Sequence, residues 1–375
     1  MLTLIIFFAI LLVLVLSHEF GHFLFAKLAG VKVEEFAFGF PPRLGSFWKG
    51  ETRYSFNLVP LGGFVKIFGE SPDEESLNGP DRERSFVNKS KWKQAIILFA
   101  GVFMNFLLAW MVLSFGFMSG IPTSVGSAVP GHELENVNLL VVSVAPNSPA
   151  ETAGLKPGDA IVTVSILSSE IGEEGKNLQE INPEMLKAFI VSHPNQEIEI
   201  GYTRGKNHQD VKFVNIIPVK SVVDGRPMIG ISMDQVGTAK LPILRAFSEG
   251  MKLTLALTKD TALGLYTLIV ESIKGQGNLT AITGPVGMVS IVGDVYEFGF
   301  AYLLSFAALI SINLAIINLL PFPALDGGRL LFLLIEKIKG SAMNPRVANT
   351  ANTIGFVILI LLMVLVTYHD IVKLV

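Results

Sequence analysis

The sequence predicts an α-helical polytopic membrane protein that carries an inserted α+β domain and a membrane-associated β-hairpin. Three observations lead to this fold class. Half of the 375 residues are hydrophobic and only 16% are charged, whereas roughly 25% of the residues in soluble domains are charged. Four apolar runs are long enough to cross a bilayer. Between the second and third runs, short strand patterns alternate with turns.

The apolar runs predict about four transmembrane helices. A helix rises about 1.5 Å per residue and needs about 20 apolar residues to cross the hydrocarbon core. Glu19 is the only charged residue within the runs, which are Leu2 to Ala26, Ala95 to Ile121, Phe298 to Leu325 and Val347 to Tyr368. The first run has no basic residue before it and no small-residue cleavage site, so we interpret it as a retained helix and not as a signal peptide.

A fifth region is less apolar. Residues 247–270 contain four charged side chains, and their charge-free part is short. This pattern favours an amphipathic helix at the membrane interface over a fifth span. The predicted domains are therefore a helical region with a cytoplasmic hairpin at 1–121, an outer domain at 122–235, an interfacial helical region at 236–296 and two final spans at 297–375.

Charge predicts the orientation in the membrane. Residues 27–93 contain eleven Lys and Arg against nine acidic residues, and the stretch after the third run is also basic. Basic connections lie on the cytoplasmic side, so both termini and the domain at 122–235 are expected outside. The chain is then expected to be a multi-pass membrane protein. A net charge of −3 offers nothing that favours nucleic acid as a partner.

The first run ends in the pattern His18-Glu19-Phe20-Gly21-His22. Residues i and i+4 share one face of a helix, so both imidazoles can reach one metal ion, with Glu19 beside it to take a proton from water. The chain has no cysteine, so any metal ligands must be His, Asp or Glu. The alternative is a metal-free pair of histidines at the helix end, which would leave buried polar groups unsatisfied.

Asp326 is the predicted third ligand. A catalytic zinc usually has three protein ligands, and Asp326 is the only carboxylate between Glu297 and Glu336. Pro321 and Pro323 break the helix before it, and the two glycines that follow allow close backbone approach. The alternative role for Asp326 is an N-cap of a helix at 327–338.

The outer domain resembles a PDZ domain of the bacterial, circularly permuted kind. Its most specific segment is SPAETAGLKPGD (148–159), which occurs once, and Asn182 and Pro183 mark a helix start. The resemblance implies that residues 226–231 lie beside a peptide groove, with Ile229 and Gly230 as groove residues. The alternative is a spacer that merely has this fold.

The whole chain resembles the site-2 protease family of intramembrane zinc metalloproteases, in its RseP-like branch. The matching motifs are H-E-x-x-H, GVFMNF with Gly101 and Asn105, GPVG at 284–287, and N-x-x-P-x-P-x-L-D-G-G at 318–328. The resemblance implies Zn²⁺ as the cofactor, His18, His22 and Asp326 as ligands, and Glu19 as the general base. It also implies single-pass transmembrane proteins as substrates, in bacteria typically anti-sigma factors or remnant signal peptides.

Two further features take a role from this resemblance. Residues 51–67 alternate Tyr54, Phe56 and Leu58, turn at 60–63 and resume at Phe64, which predicts a hairpin apolar enough to enter the membrane. The resemblance implies that this hairpin pairs with an unwound substrate. An ordinary cytoplasmic hairpin fits the same pattern. Asn318 is expected to bind the substrate backbone, or alternatively to make an interhelical hydrogen bond.

Two other classes of function compete with the protease. The first is an inactive zinc-dependent membrane scaffold that binds partners through its PDZ domain, but a scaffold has no need for Glu19 beside the metal. The second is a metal transporter, which the single candidate site and the absence of a polar relay through the spans disfavour.

Overall fold

A computed structural model describes residues 2–71, 73–166, 181–205, 210–220, 225–275, 283–341 and 343–374. The chain divides into two compact units. The helical unit comprises Met1–Ser114, Gly250–Asp294 and Leu304–Val375, and the β-rich unit comprises Phe115–Glu249 and Val295–Leu303.

The described residues form ten α-helices and ten strands. The helices are α1 (Leu2–Leu28), α2 (Glu74–Asn78), α3 (Lys91–Ser119), α4 (Pro149–Thr152), α5 (Pro183–Ser192), α6 (Ile243–Ile273), α7 (Pro285–Phe298), α8 (Phe300–Leu319), α9 (Asp326–Lys339) and α10 (Pro345–Leu374). The strands are β1 (Val33–Lys49), β2 (Thr52–Ile67), β3 (Ile121–Ser124), β4 (Glu135–Val144), β5 (Ala160–Ile166), β6 (Ile198–Thr203), β7 (Val211–Ile216), β8 (Val219–Lys220), β9 (Pro227–Met228) and β10 (Ile231–Ala239).

Among the described residues, five helices are long and apolar enough to cross a membrane: α1, α3, α6, α8 and α10. Four of them correspond to the predicted runs and have a mean hydropathy of 2.2 to 2.4. The fifth, α6, is a continuous helix of 31 residues with a mean hydropathy of only 1.3. The third run is shorter than its sequence suggests, because α8 ends at Leu319, just before Pro321. Several apolar helices therefore make this a multi-pass membrane protein.

The end of α10 is tied to the start of α7. Asp370 on α10 is 4% exposed, and its carboxylate accepts hydrogen bonds from the backbone N–H groups of Gly284 (3.1 Å) and Gly287 (2.9 Å). A carboxylate is favourable at a helix N-terminus because free N–H groups and the helix dipole point at it. The GPVG segment thus has a physical role: a side chain at Gly284 would enter the space that Asp370 occupies.

Strands β1 and β2 form a more complex sheet than the predicted hairpin. Residues 43–49 pair with residues 52–57, as a hairpin would. Residues 33–38, however, lie between two parts of β2, because Phe36 is paired with both Tyr54 and Val65. Residues 63–67 therefore form an outer segment, and no other strand of the described residues pairs with its free side.

A buried ionic network holds this sheet together. The Glu35 carboxylate accepts hydrogen bonds from Arg43 (3.0 Å), Arg53 (2.5 Å) and Ser55 (2.5 Å). Burial raises the pKa of the Glu35 carboxyl, but these donors and the two positive charges outweigh burial and hold that pKa below its ordinary value. The carboxylate is therefore ionised at neutral pH, and it links β1 to β2.

The β-rich unit is built on a six-stranded sheet in the order β3-β10-β4-β5-β6-β7, with a small β8-β9 pair. Helix α5 packs on its core, which is formed by Leu139, Val141, Ala150, Leu155, Ile161, Val164, Leu186, Ile190, Ile198, Ile200, Tyr202, Ile216 and Ile229. The predicted N-cap is confirmed, since the Asn182 side chain accepts a hydrogen bond from the Met185 N–H. Asp159, at the Gly-Asp turn, is fully buried and pairs with both Arg204 Nε and Nη2.

Candidate metal centre

The first part of the centre lies on α1. His18 and His22 are one helical turn apart, so their imidazoles lie on the same face, with ring centroids 4.8 Å apart. Their Nε2 atoms are 3.2 Å apart. His22 is 7% exposed. The predicted geometry of the H-E-x-x-H pattern is therefore present in the structure.

Asp326 joins the two histidines from a segment more than 300 residues further along the chain. Its Oδ2 lies 3.0 Å from His18 Nε2 and 3.2 Å from His22 Nε2. The N-cap of α9 is Leu325 and makes no side-chain capping bond. The alternative assignment of Asp326 as a helix cap is therefore wrong, and its carboxylate faces the imidazoles.

The glycines after Asp326 permit this approach. A side chain at Gly327 would overlap the carbonyl oxygens of Leu319 and Leu320, and one at Gly328 would overlap that of Phe322. Ala324, within the preceding irregular segment, has a φ of 77°, which is rare for a residue other than glycine. The segment between α8 and α9 therefore makes a tight turn, and this turn places the Asp326 carboxylate beside α1.

The three donor atoms fit one tetrahedral metal ion. Zinc lies about 2.0 to 2.2 Å from nitrogen and oxygen ligands, so neighbouring ligand atoms are roughly 3.3 Å apart in tetrahedral geometry. The observed separations of 3.0 to 3.2 Å are close to this value. Within the described residues, these three side chains are the only group of three or more with metal-binding geometry.

The surroundings orient His22 for this role. Its Nδ1 lies 2.9 Å from the backbone carbonyl oxygen of Ile97 on α3. A carbonyl can only accept, so Nδ1 carries the proton and the lone pair of Nε2 is available to bind a metal ion.

Glu19 opens onto a cavity of about 460 Å³ together with the three donors. The outer segment of β2 forms one wall of this cavity through Phe64, Val65 and Ile67. A side chain at Gly63 would begin only 3.7 Å from Cγ of Glu19. The free edge of a sheet therefore lies beside Glu19.

Other polar groups line the same cavity. Asn318, predicted from the sequence, is among them, together with Asn105, Glu70 and Arg329. Arg329 forms an ion pair with Glu70. Sequence reasoning missed this pair, although Arg329 follows Asp326 by three residues and so lies on the same side of α9.

The remaining predicted site residues lie elsewhere. Tyr54 stacks on Phe47 with ring centroids 5.3 Å apart, and Tyr54, Phe56 and Leu58 do not line the cavity beside Glu19. Ile229 and Gly230 line a separate cavity of about 440 Å³ between α5 and the β9-β10 region. Ile229 is only 1% exposed, so it also belongs to the core of the β-rich unit.

Two glycines bring α1 and α3 together at the centre. A side chain at Gly21 would overlap the Ala100 carbonyl, and one at Gly101 would overlap His22 Nε2 and His18 Cε1. Small residues at a helix contact allow this close approach. The sequence pointed to Gly101 only as part of a family motif, and the structure supplies its physical reason.

Replacing Gly101 with alanine should weaken zinc binding by about 10- to 100-fold, as is typical when groups that position a ligand are changed. The new methyl group would overlap both imidazoles and displace them from the positions in which they can bind one metal ion. Metal titration of purified protein measures the effect. Gly264→Ala is a matched control, since Gly264 is also helical and has no heavy atom within 4 Å of an added Cβ. Equal zinc affinity in both variants would contradict the prediction.

Known proteins match this chain over nearly its full length. The profile of peptidase family M50 matches residues 6–362. Zinc metalloprotease RasP of Geobacillus kaustophilus is 30% identical, over 96% of this chain and 95% of that protein. Zinc metalloprotease RasP of Shouchella clausii is 30% identical over 99% of both. The regulator of sigma-W protease RasP of Bacillus subtilis is 29% identical over 99% of both.

Among solved structures, a PDZ domain of an SdrC-like protein from Listeria monocytogenes is similar to part of the chain. It is 20% identical and covers 27% of this chain and 93% of that domain, with a TM-score of 0.21. The family is decided by the profile and the full-length relatives: this chain belongs to peptidase family M50 and is a zinc metalloprotease.

Proposed function

We propose that this metalloprotease is an intramembrane endopeptidase, which hydrolyses peptide bonds within the transmembrane segments of its substrates. One observation carries the proposal. The donor atoms of His18, His22 and Asp326 lie within 3.2 Å of one another, and Glu19 lies beside them. All but Asp326 belong to a helix that is apolar enough to span a membrane. Ionisable side chains are energetically costly within such a helix, and where they occur they usually mark a functional site.

In this proposal His18, His22 and Asp326 hold the zinc ion, and Glu19 is the general base. Zinc bound there supplies Lewis-acid activation of the scissile carbonyl and of the attacking water. Glu19 takes a proton from that water as its oxygen bonds to the carbonyl carbon. Glu19 then delivers the proton to the amide nitrogen as the C–N bond breaks. The products are a new carboxylate and a new amine.

The free edge of residues 63–67 is the proposed docking strand for the substrate. A transmembrane helix shields its peptide bonds with internal hydrogen bonds, and an unwound segment in lipid needs replacement partners. An exposed sheet edge offers them by strand addition. Phe64 and Val65 are therefore proposed to contact the substrate, because they line the cavity beside Glu19. The residues named from the sequence, Tyr54, Phe56 and Leu58, do not line that cavity. Asn318, in the same cavity, is a further proposed contact to the substrate backbone.

Four spans, with α6 on the outer membrane surface, fit the contacts of the helical unit. Gly250 on α6 approaches Ser114, near the predicted outer end of α3. Gly284 is bonded to Asp370, near the predicted outer end of α10. If α6 crossed the membrane, it would end on the inner side, whereas Gly284 lies with Asp370 near the predicted outer end of α10.

Single cysteines can test this topology, because the chain has none of its own. In sealed cells, a membrane-impermeant thiol reagent should label Lys274→Cys and Lys187→Cys from outside. Glu83→Cys should react only after permeabilisation. Labelling of Lys274→Cys only from inside would instead establish α6 as a fifth span.

The β-rich unit is proposed to be a PDZ domain on the extracytoplasmic side of the inner membrane. Its cavity between α5 and the β9-β10 region is suited to an extended peptide that binds by strand addition. Met228 is a better probe of this groove than Ile229, because Met228 is 39% exposed whereas Ile229 is in the core. The proposed substrates are single-pass membrane proteins, among them anti-sigma factors or remnant signal peptides.

The decisive experiment combines two measurements on protein purified in detergent. Metal analysis should find about one zinc ion per chain, and a synthetic transmembrane peptide should be cut within its apolar segment. A protein that binds zinc but cuts only soluble peptides would refute the intramembrane assignment.

A further inference from the structure

Asn105 on α3 has a buried side-chain amide for which the described residues provide no hydrogen-bond partner. The residue is 0% exposed, and neither its Oδ1 nor its Nδ2 has a hydrogen-bond partner in the part of the chain that the structure describes. Leaving such a group unsatisfied destabilises the folded protein. The side chain lines the same cavity as His18, Glu19 and Asn318.

The backbone around Asn105 is satisfied, in contrast to its side chain. Ser311 on α8 donates to the Asn105 carbonyl oxygen at 2.8 Å, and Ser17 on α1 donates to the Met104 carbonyl oxygen at 3.3 Å. Both serine hydroxyls therefore donate to backbone carbonyl oxygens and not to the Asn105 side chain. Gly101, one turn earlier on the same face, contacts the imidazoles. The fold thus fixes Asn105 one helical turn from the metal centre, and within the described part of the chain its side-chain amide has no hydrogen-bond partner.

We propose that Asn105 is a substrate-binding residue of the peptidase. A primary amide presents a donor and an acceptor side by side, which matches the C=O and N–H of one peptide unit in an extended chain. Nδ2 of Asn105 donates to a substrate carbonyl oxygen, and Oδ1 accepts from a substrate N–H. A bound peptide then satisfies the buried amide of Asn105. Only an unwound segment gains this binding energy, because a helix uses its own C=O and N–H groups in internal hydrogen bonds.

This inference deepens the proposed function and rests on it. The strand edge at residues 63–67 pairs with one side of the substrate, and Asn105 offers partners from α3. Both polar edges of the unwound segment would then find hydrogen bonds inside the protein. Backbone N–H and C=O groups that are shielded from water need hydrogen-bond partners within the protein, and the strand edge and Asn105 would together supply them.

The test replaces Asn105 with leucine, which has the same branched arrangement of heavy atoms and no polar atoms. Peptide affinity is measured with a synthetic transmembrane peptide in the Glu19→Gln background, alongside zinc content and the melting temperature Tm in detergent. We expect unchanged zinc content, an equal or higher Tm, and an affinity lower by about tenfold or more. A residue that only supports the fold would instead lower Tm and leave the affinity unchanged.

Gln94→Leu is the matched control. Gln94 is also a buried amide on α3, at 2% exposed, but its Nε2 donates to the carbonyl oxygens of Val87 (3.0 Å) and Lys89 (2.7 Å). Its replacement should lower Tm and leave peptide affinity unchanged. If Asn105→Leu does not fold, Asn105→Ala removes the same polar atoms without adding bulk, and the same measurements apply.

Two failures can be told apart. Zinc-loaded wild-type protein that cuts no transmembrane peptide refutes the proposed function, and this inference with it. Wild-type protein that cuts the peptide, together with an Asn105 variant of unchanged affinity, refutes only the role of Asn105.

Discussion

Replacing Glu19 with glutamine should leave zinc bound and reduce peptide cleavage by about 10²- to 10⁴-fold, the usual contribution of a general base. Glutamine keeps the shape of the side chain but cannot accept a proton at neutral pH. Glu19 is not one of the three donors whose atoms lie within 3.2 Å of one another. Single-turnover cleavage of a synthetic transmembrane peptide and zinc per chain are the two measurements.

Glu34→Gln provides the control for Glu19→Gln. Glu34 pairs with Lys66, whose side chain is 64% exposed, and such surface pairs contribute little. That variant should cleave at the wild-type rate. Near-normal turnover of Glu19→Gln would show that another group acts as the base.

Replacing Asp326 with alanine should abolish cleavage together with zinc binding. The variant removes one of three donors, so the affinity for zinc should fall by more than the roughly 10- to 100-fold typical of outer-shell groups. His18→Ala and His22→Ala should behave in the same way. Asp326→Asn is the sharper variant, because asparagine preserves size but is a poor ligand for zinc compared with a carboxylate.

Glu336→Gln is the control on the same helix, since the Glu336 carboxylate instead accepts hydrogen bonds from Lys91 and from the Met343 N–H. Zinc titration should find this variant equal to wild type. Full zinc occupancy and activity in Asp326→Asn would remove Asp326 from the ligand set.

Local geometry explains why much of the centre was predictable. The pairing of His18 with His22 depends only on the four-residue spacing of a helix. Asp326 could be singled out because carboxylates are rare in apolar runs. Pro321 before Asp326 and Gly327 after it indicated a tight turn, and the observed backbone contacts agree.

The rest depends on distant contacts that no local pattern encodes. The double pairing of Phe36 with Tyr54 and Val65 decides which part of β2 reaches Glu19. Alternating apolar residues at 54, 56 and 58 indicated a strand but not its neighbours, because register is set by the whole sheet. Likewise, Asn105 is informative only because the described residues around it provide no hydrogen-bond partner. The position of Ile229 in the core also required the folded sheet.

If substrates pair with the outer segment at residues 63–67 as proposed, a rule follows for the sequences that this enzyme accepts. A chain that pairs with a strand edge turns alternate side chains to opposite faces. Cleavage sites gathered from unrelated substrates should then share preferences at every second position, and not at consecutive ones. Sliding a substrate by one residue would exchange its two faces completely. Selectivity would depend on the phase of small and large side chains along the substrate, so two substrates without a common motif could be cut equally well.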